Sequence, residues 1–495
     1  MTKITLAVAN GNYSTNSLPF SSQRCINGYP LYAENAAYND RAVIGTDGVK
    51  SVTTTGVTIT GTPRGDTVVN GILYRVSGTT LYSISKDLVV TSIGTIASTE
   101  IVSFANNGTY LVLCVPGGNS YTYNTDTSTL AQITNFNFIV SDSVSFVDGR
   151  FVFTATNGAI FFISDLNDPT SYDALNFGTA EASPDKIVAG VINHNELFIF
   201  GTNTVEGYQN AGISGFPFVR IPGALIEKGL HARNGTLVFD NTIMFIGGGF
   251  NESTAIWRIT SSSSAQKVST NAIDQVIQSF TADEISDLAF STTYSKDGSF
   301  FAVFTFKSVG DRIPAKTLVY NATSSAMAGF PVWHEQRSGE DEGRWAVGSI
   351  ALAYGRHYVS NYTSGALLGY LDNETYTDFG ESDGIVREVI TQPFAQENKS
   401  VFYSSLEITM ETGVGLTTGQ GVDPQIRMSY SDDGGRIWSN ETSRTMGKIG
   451  EYRRRVLWRG SLGYAPTSRM FKFVVSDPIK FVIIKLEVYA GVGTR

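Results

Sequence analysis

Cysteine is almost missing from this chain. Cys25 and Cys114 are the two it has in 495 residues, so a disulfide framework is not what stabilises the fold, and both read as buried thiols. Histidine is scarce as well: His194, His231, His334 and His357 are dispersed, with no pair at metal-ligand spacing, and each reads as a turn or core residue. No run of about 20 apolar residues occurs, which excludes a transmembrane helix and stable membrane insertion by one. Residues 1–10 carry one lysine and no apolar core of about 7–15 residues, so no signal peptide is expected and the product should stay soluble where it is made. Basic charge is in deficit, with 36 Lys and Arg against 45 Asp and Glu and a net charge of −9. That argues against nucleic-acid binding through a generally basic surface. DNA passing nearby is not excluded, because a channel that lets DNA slide benefits from repelling it.

What the chain does have is glycine, 50 residues of it, together with 42% hydrophobic and 12% aromatic residues. This is the composition of a globular, turn-rich β-protein. Residues 147–165 read as one complete hairpin: Asp148-Gly149 is a turn, Phe151, Phe153 and Ala155 alternate with Val152, Thr154 and Thr156, and Asn157-Gly158 offers a second, type I′ turn before 160–163 return. Six looser copies of this pattern follow from anchors at Gly71, Gly108, Asn195, Asn241, Gly298 and Gly355. With Gly149 included, the spacings are 37, 41, 46, 46, 57 and 57 residues. Propeller blades repeat at about 40–50 residues, so the expected fold is mainly β: a β-propeller of about six to seven blades, with β-sandwich-like structure formed by the C-terminal region and the N-terminal arm.

Three parts are expected. Residues 1–60 form an N-terminal arm that turns at Asn27-Gly28 and packs on the C-terminal or platform region or a partner subunit. Residues 61–380 form the propeller, and 381–495 a C-terminal sandwich or platform with longer strands at 401–410, 425–431, 454–458, 470–475 and 481–489. Within the propeller, 211–234 carries Gly212, Gly215, Pro217, Pro222 and Gly223 and reads as a long loop. Ile273, Val276, Ile277 and Phe280 fall at i, i+3, i+4 and i+7 and mark a short amphipathic helix, and Thr281 with Glu284 caps a second. The acidic stretch 333–345, with Glu335, Glu340, Asp341 and Glu342 beside Arg337 and Arg344, reads as a solvated loop.

Few residues suggest chemistry, and no catalytic, cofactor-binding or metal-binding set can be assembled. Gly247-Gly-Gly249 lacks the helix and Lys-Ser/Thr of a phosphate loop. Ser431-Asp-Asp-Gly-Gly-Arg-Ile-Trp438 fits S-x-D-x-G-x-x-W and resembles the Asp-box of sialidases and related propellers, where Asp433 would bond backbone amides across a turn and Trp438 pack beneath. A carbohydrate-binding or glycoside-cleaving propeller is the alternative reading that this box keeps open. The sharpest charge feature is 451–460, in which Arg453, Arg454, Arg455 and Trp458 are candidates for docking an acidic partner surface or a DNA backbone. An exposed strand charged against edge aggregation would look the same.

Three stretches resemble one family, in the same order. They are 182–208, with Ser-Pro-Asp-Lys-Ile at 183–187 and Phe-Gly-Thr-Asn-Thr-Val-Glu-Gly-Tyr at 200–208, then 271–284, and then Arg454-Arg-Val-Leu-Trp-Arg459 followed by Phe471-Lys-Phe-Val-Val475. They are similar to the packaged-DNA stabilisation proteins, also called tail hub or nozzle proteins, of short-tailed (podovirus-type) bacteriophages. The resemblance implies a non-enzymatic homo-hexamer without cofactors, assembled in the host cytoplasm and sited in the virion tail below the portal and its adaptor ring. It further implies that the protein continues and closes the DNA channel, and retains packaged DNA. Its partners would be the portal adaptor, tailspikes or tail fibres, a tail needle or plug, and DNA passing through the lumen without sequence-specific binding.

Overall fold

The computed structural model describes residues 2–493 except 9, 16, 18, 19, 36, 311, 340–342, 381–383, 397, 398 and 461, and except the side chain of residue 288. Glu340, Asp341 and Glu342 of the acidic stretch lie outside the described residues.

The first strands of the repeat are Pro63–Val69, Ser103–Asn106, Ser141–Val147, Ile187–Asn193, Thr236–Phe239, Ala289–Lys296 and Val347–Ala353. Each opens a four-stranded antiparallel blade, and the described residues form seven of them. All seven sequence anchors sit in the turn between a blade's first and second strands. In six of these turns both central residues have positive φ, as at Asp148 (49°) and Gly149 (77°) or His194 (49°) and Asn195 (64°), which is the type I′ geometry whose twist matches the flanking strands. The expectation for Asn157-Gly158 is corrected. Asn157 alone is left-handed, at 57°, and a longer loop joins Arg150–Ala155 to Ile160–Ile163, which are the second and third strands of blade three.

Alternation explains the stacking of blades. Phe151 and Phe153 pack toward blade two with Val112, Cys114 and Val144, while Val152 packs toward blade four with Leu197 and Ile199. Both faces of the inner strands are therefore buried, as in Thr242–Gly248, where all seven residues are. Burying a Phe or Val side chain contributes roughly 1.5–3 kcal/mol, so each blade is held mainly by its neighbours.

Hydroxyl groups stitch the first strands together around the axis. Ser103 accepts from the Val144 amide at 3.1 Å, Ser145 donates to the Gly190 carbonyl at 2.6 Å, Ser291 to the Thr236 carbonyl at 2.9 Å, and Ser349 to Asp66 at 2.7 Å. The last bond closes blade seven on blade one. Gly48–Ser51, from within the expected N-terminal arm, supplies the outer strand of blade seven by pairing with Leu368–Asp372, and Val49 is fully buried there.

The expected loop at 211–234 is corrected in part. Phe218–Ile226 is the outer strand of blade four, and Gly229–Leu230 begins blade five. Pro222 and Gly223 are tolerated because the pairing skips from Glu206↔Leu225 to Tyr208↔Arg220, leaving them in a bulge on an edge strand. Helices Asn271–Ile277 and Ala282–Leu288 form as expected, the second with a complete Thr281/Glu284 capping box. A third, Ala322–Ala328, ends on a left-handed Gly329.

The remaining strands build the sandwich, and the N-terminal arm enters both of its sheets. One sheet runs through Gly28–Tyr32, Arg41–Gly45, Val482–Val492, Val401–Met410 and Val456–Arg459, with Thr2–Leu6 beside Val482–Val492. In the other, Ser22–Ile26 is followed by Arg387–Ile390, Ser468–Val475, Gln425–Ser431 and Thr442–Thr445. Between them lies a core that includes Leu406, Trp458, Phe471, Phe473 and Leu486. This second sheet is continuous with blade six, because Ile26 bridges Glu335 in the blade's outer strand, Trp333–Gln336.

Candidate functional site

The basic run lies at an edge of the sandwich. Residues 453–455 precede the strand Val456–Arg459, which pairs with Val401–Met410. Arg453 and Arg454 are exposed and make no ion pair among the described residues. Arg455 is exposed too, and its guanidinium bonds both carboxylate oxygens of Glu407 at 2.8 Å, which holds the Glu407 carboxyl below its ordinary range. Trp458 is the correction. Strand alternation turns Val456 and Trp458 inward, and Trp458 is fully buried beside Phe473 with its Nε1 donating to the Thr442 carbonyl at 3.1 Å. It supports the basic edge from beneath and presents no surface to a partner.

The Asp-box folds as a staple. Asp433 Oδ1 accepts from the Ser431 hydroxyl at 2.7 Å and from the amides of Arg436 and Ile437 at 2.9 and 3.0 Å. These bonds, the Ile437 amide first, hold its carboxyl below the ordinary value. Trp438 is partly covered by Lys472, whose Nζ stands 4.6 Å from the ring centre. The neighbouring Asp432 is bound by the buried guanidinium of Arg469 at 2.6 and 2.7 Å, so both carboxylates of the box serve the turn.

The histidines are scattered through turns and core. His194 bridges the first turns of blades four and five through Asn241 at 2.7 Å, His231 bonds Thr254 at 2.8 Å, and His357 reaches Ser295 at 3.3 Å. His334 is fully buried with no hydrogen bond at either ring nitrogen, and burial pushes its pKa down to about 3. The thiols of Cys25 and Cys114 are buried, and burial raises both to about 12. Among the described residues no group of three or more His, Cys, Asp or Glu could hold a metal ion, and no helix is long and apolar enough to cross a membrane.

The seam between propeller and sandwich was not foreseen. Glu335, expected in a solvated loop, is buried, and its carboxylate gathers Arg24 Nη2 at 2.8 Å, Arg24 Nε at 3.2 Å, Asn12 Nδ2 at 2.9 Å and Lys316 Nζ at 3.5 Å. Burial alone would raise its pKa. The charges of Arg24 and Lys316 and the hydrogen bonds outweigh that and bring it to about 2. Asn27 ties the same seam by donating to the carbonyls of Arg337 at 2.9 Å and Val386 at 2.8 Å. No local signal marks these partners, since Asn12 and Arg24 lie 323 and 311 residues from Glu335.

A propeller closed by its own N-terminal strand and sewn through a shared sheet to a sandwich is a rigid β-scaffold with a charged edge. The family described as bacteriophage P22 Gp10, beta-propeller, matches residues 4–376, and bacteriophage P22 Gp10, beta-sandwich, matches 386–491. The chain belongs to this family of phage tail hub proteins. The tail hub protein gp10 of Salmonella phage P22 is 23% identical over 400 residues, covering 78% of this chain and 79% of that one. A chain in a crystal structure of the mitotic checkpoint complex overlaps at a TM-score of 0.39 and 13% identity, over 69% of this chain and 96% of that one, which is too loose to bear on function.

Proposed function

We propose that this protein is a non-enzymatic structural hub of a phage tail that works as a homo-hexamer. It extends and closes the DNA channel below the portal and adaptor, retains packaged DNA, and offers attachment sites to tailspikes or fibres, after assembly in the host cytoplasm. The observation that carries this reading is the match of both domains, in order, to one family of tail hub proteins. The shared sheet supports it physically, because a load on the sandwich passes through backbone hydrogen bonds into blade six. DNA would pass between subunits, since the propeller's own axial cavity, about 770 Å³, has the size of a small-molecule pocket. The basic edge of Arg453, Arg454 and Arg455 is the proposed docking surface for an acidic face of the adaptor or a neighbouring tail protein. Electron microscopy of the purified protein, alone or with the adaptor, is expected to show six-fold rings. Phage particles lacking the protein should package DNA and then lose it, and particles that keep their DNA would overturn the reading.

A further inference from the structure

The axial cavity lies at the end of the propeller where the first strands begin, and all seven blades line it. Small residues make room for it. Gly65, Ser103, Ser143, Gly190, Ser291 and Gly348 occupy this level on six of the blades. At Gly65, φ is +148°, and a Cβ would meet the Phe104 ring at 2.6 Å. The strands are also bent here: register shifts fall at Pro63/Gly65, Ser141/Ser143, Ile187/Ala189 and Val347/Ile350. In blade five the first strand is broken outright. Gly229–Leu230 and Thr236–Phe239 both pair with Thr242–Gly248, and the interruption between them carries Arg233 to the cavity wall. Bulges and breaks of this kind re-aim side chains, and they gather at sites.

The charges at the wall are unequal. Six charged residues line the cavity: Arg64, Arg233, Lys307 and Arg344 against Asp66 and Asp142. Asp66 is neutralised by a buried ion pair, and Asp142 keeps its charge. Asp66 receives two bonds from Arg75 at 2.7 and 2.8 Å and one from Ser349 at 2.7 Å, and Asp142 receives the Thr156 hydroxyl at 2.8 Å. Arg64 is engaged by the carbonyls of Gly78, Ile96, Ala97 and Glu100 at 2.6–3.2 Å. Arg344 is held rigidly, its Nε and Nη2 on the carbonyls of Trp345 and Val347 at 3.1 and 2.7 Å and its guanidinium 4.1 Å from the ring centre of Tyr362 and 4.9 Å from that of Phe290. The side chains of Arg233 and Lys307 have neither a hydrogen bond nor an ion pair among the described residues. Lys307 sits unfavourably: burial first, and then the charge of Arg344, lower its pKa, while Glu100 and Asp287 offset this from outside the cavity wall. A chain of net charge −9 thus concentrates an excess of positive charge, four cations against two acids, in a concave site of small-molecule size.

We propose that this cavity binds a small polyanion, a ligand with two or more negative charges on phosphate or carboxylate oxygens, held by Lys307 and Arg233 with Arg344 as a fixed third charge. Preorganised cations in a partly desolvated pocket favour such a ligand over its hydrated state, and the ligand would relieve the repulsion between Lys307 and Arg344. The proposal is independent of the tail hub reading, because it rests only on the propeller axis.

The test is calorimetric titration of the full-length protein with inorganic phosphate and with citrate, at pH 7 and constant ionic strength, beside the variants Lys307→Met and Arg233→Gln. At least one probe is expected to bind the wild type, and each variant to weaken it at least ten-fold. Phosphate binding alone would assign a phosphorylated ligand, and citrate binding alone a carboxylated one. The unliganded Lys307→Met variant is expected to melt no lower than wild type, which separates loss of binding from loss of fold. Phosphate also stabilises proteins by exclusion from their surfaces, so an equal response of wild type and both variants overturns the proposal, as does the absence of binding by both probes.

Discussion

Replacing Glu335 by Gln tests whether the propeller and the sandwich are held together electrostatically. The carboxylate is buried and bound by Arg24, Asn12 and Lys316, and its pKa falls from 4.5 to about 2. At about 1.36 kcal/mol per pKa unit, that corresponds to about 3 kcal/mol of stability supplied by the ionised form. Because the folded-state value is depressed, this contribution is complete above pH 4.5 and is lost as pH falls through about 2. The neighbouring His334 acts in a higher window. Its folded value, about 3, lies below the ordinary 6.5, so the unfolded chain takes up its proton first and stability declines as pH falls from 6.5 toward 3. The difference between wild type and Glu335→Gln should therefore be constant from pH 7 to 5 and shrink below pH 4.5. Arg24 also stands 4.0 Å from Glu388, a partner it keeps in the variant, which places the expected loss nearer 2 than 3 kcal/mol, below the roughly 3–5 kcal/mol for a buried pair broken outright. Hydrogen exchange of peptides covering Ser22–Ile26 and Trp333–Gln336 reads the seam locally, as is needed where unfolding of a multidomain chain is not two-state. A loss below about 1 kcal/mol at pH 7, or one that persists unchanged at pH 3, would refute the assignment of Glu335 as the electrostatic hub.

Two contrasts test the sandwich edge and the blade closure. The triple variant Arg453→Glu, Arg454→Glu, Arg455→Glu should keep its melting temperature within about 2 °C, since exposed ion pairs hold little stability, yet fail to join tail assemblies; normal incorporation would exclude this edge as the docking surface. Trp458→Ala, two positions into the strand, should instead cost about 3–5 kcal/mol by emptying the sandwich core, seen as a lowered denaturation midpoint, and a neutral outcome would contradict its burial. Val49→Asp places a carboxylate where Val49 is fully buried, and should open blade seven to proteolysis near Leu368–Asp372; Val57→Asp, at a site 47% exposed, should leave it closed.

The recurring hairpins, the turns that punctuate them and the first two helices could be read from the sequence, because each depends on residues within about ten positions of one another. Asp148-Gly149 and its six counterparts rest largely on left-handed conformations that Gly, Asn and Asp adopt readily, with His194 and Tyr354 as the exceptions. Alternation in 150–155 likewise marked a strand, while the burial of both its faces came only from the stacking of blades. The change of pattern after the propeller also separated a sandwich with longer strands, and short motifs pointed to the tail hub family.

What tertiary structure alone decided was which distant segments meet. Gly48–Ser51 closes blade seven more than 300 residues away in sequence, and Asn12 and Arg24 turn the exposed-looking Glu335 into a buried junction. Trp458 left the docking surface for the core because a strand's inward face depends on the sheet it joins. Arg233 and Lys307 came together at the axis because seven blades closed into a ring, an outcome of long-range packing that no window of sequence contains.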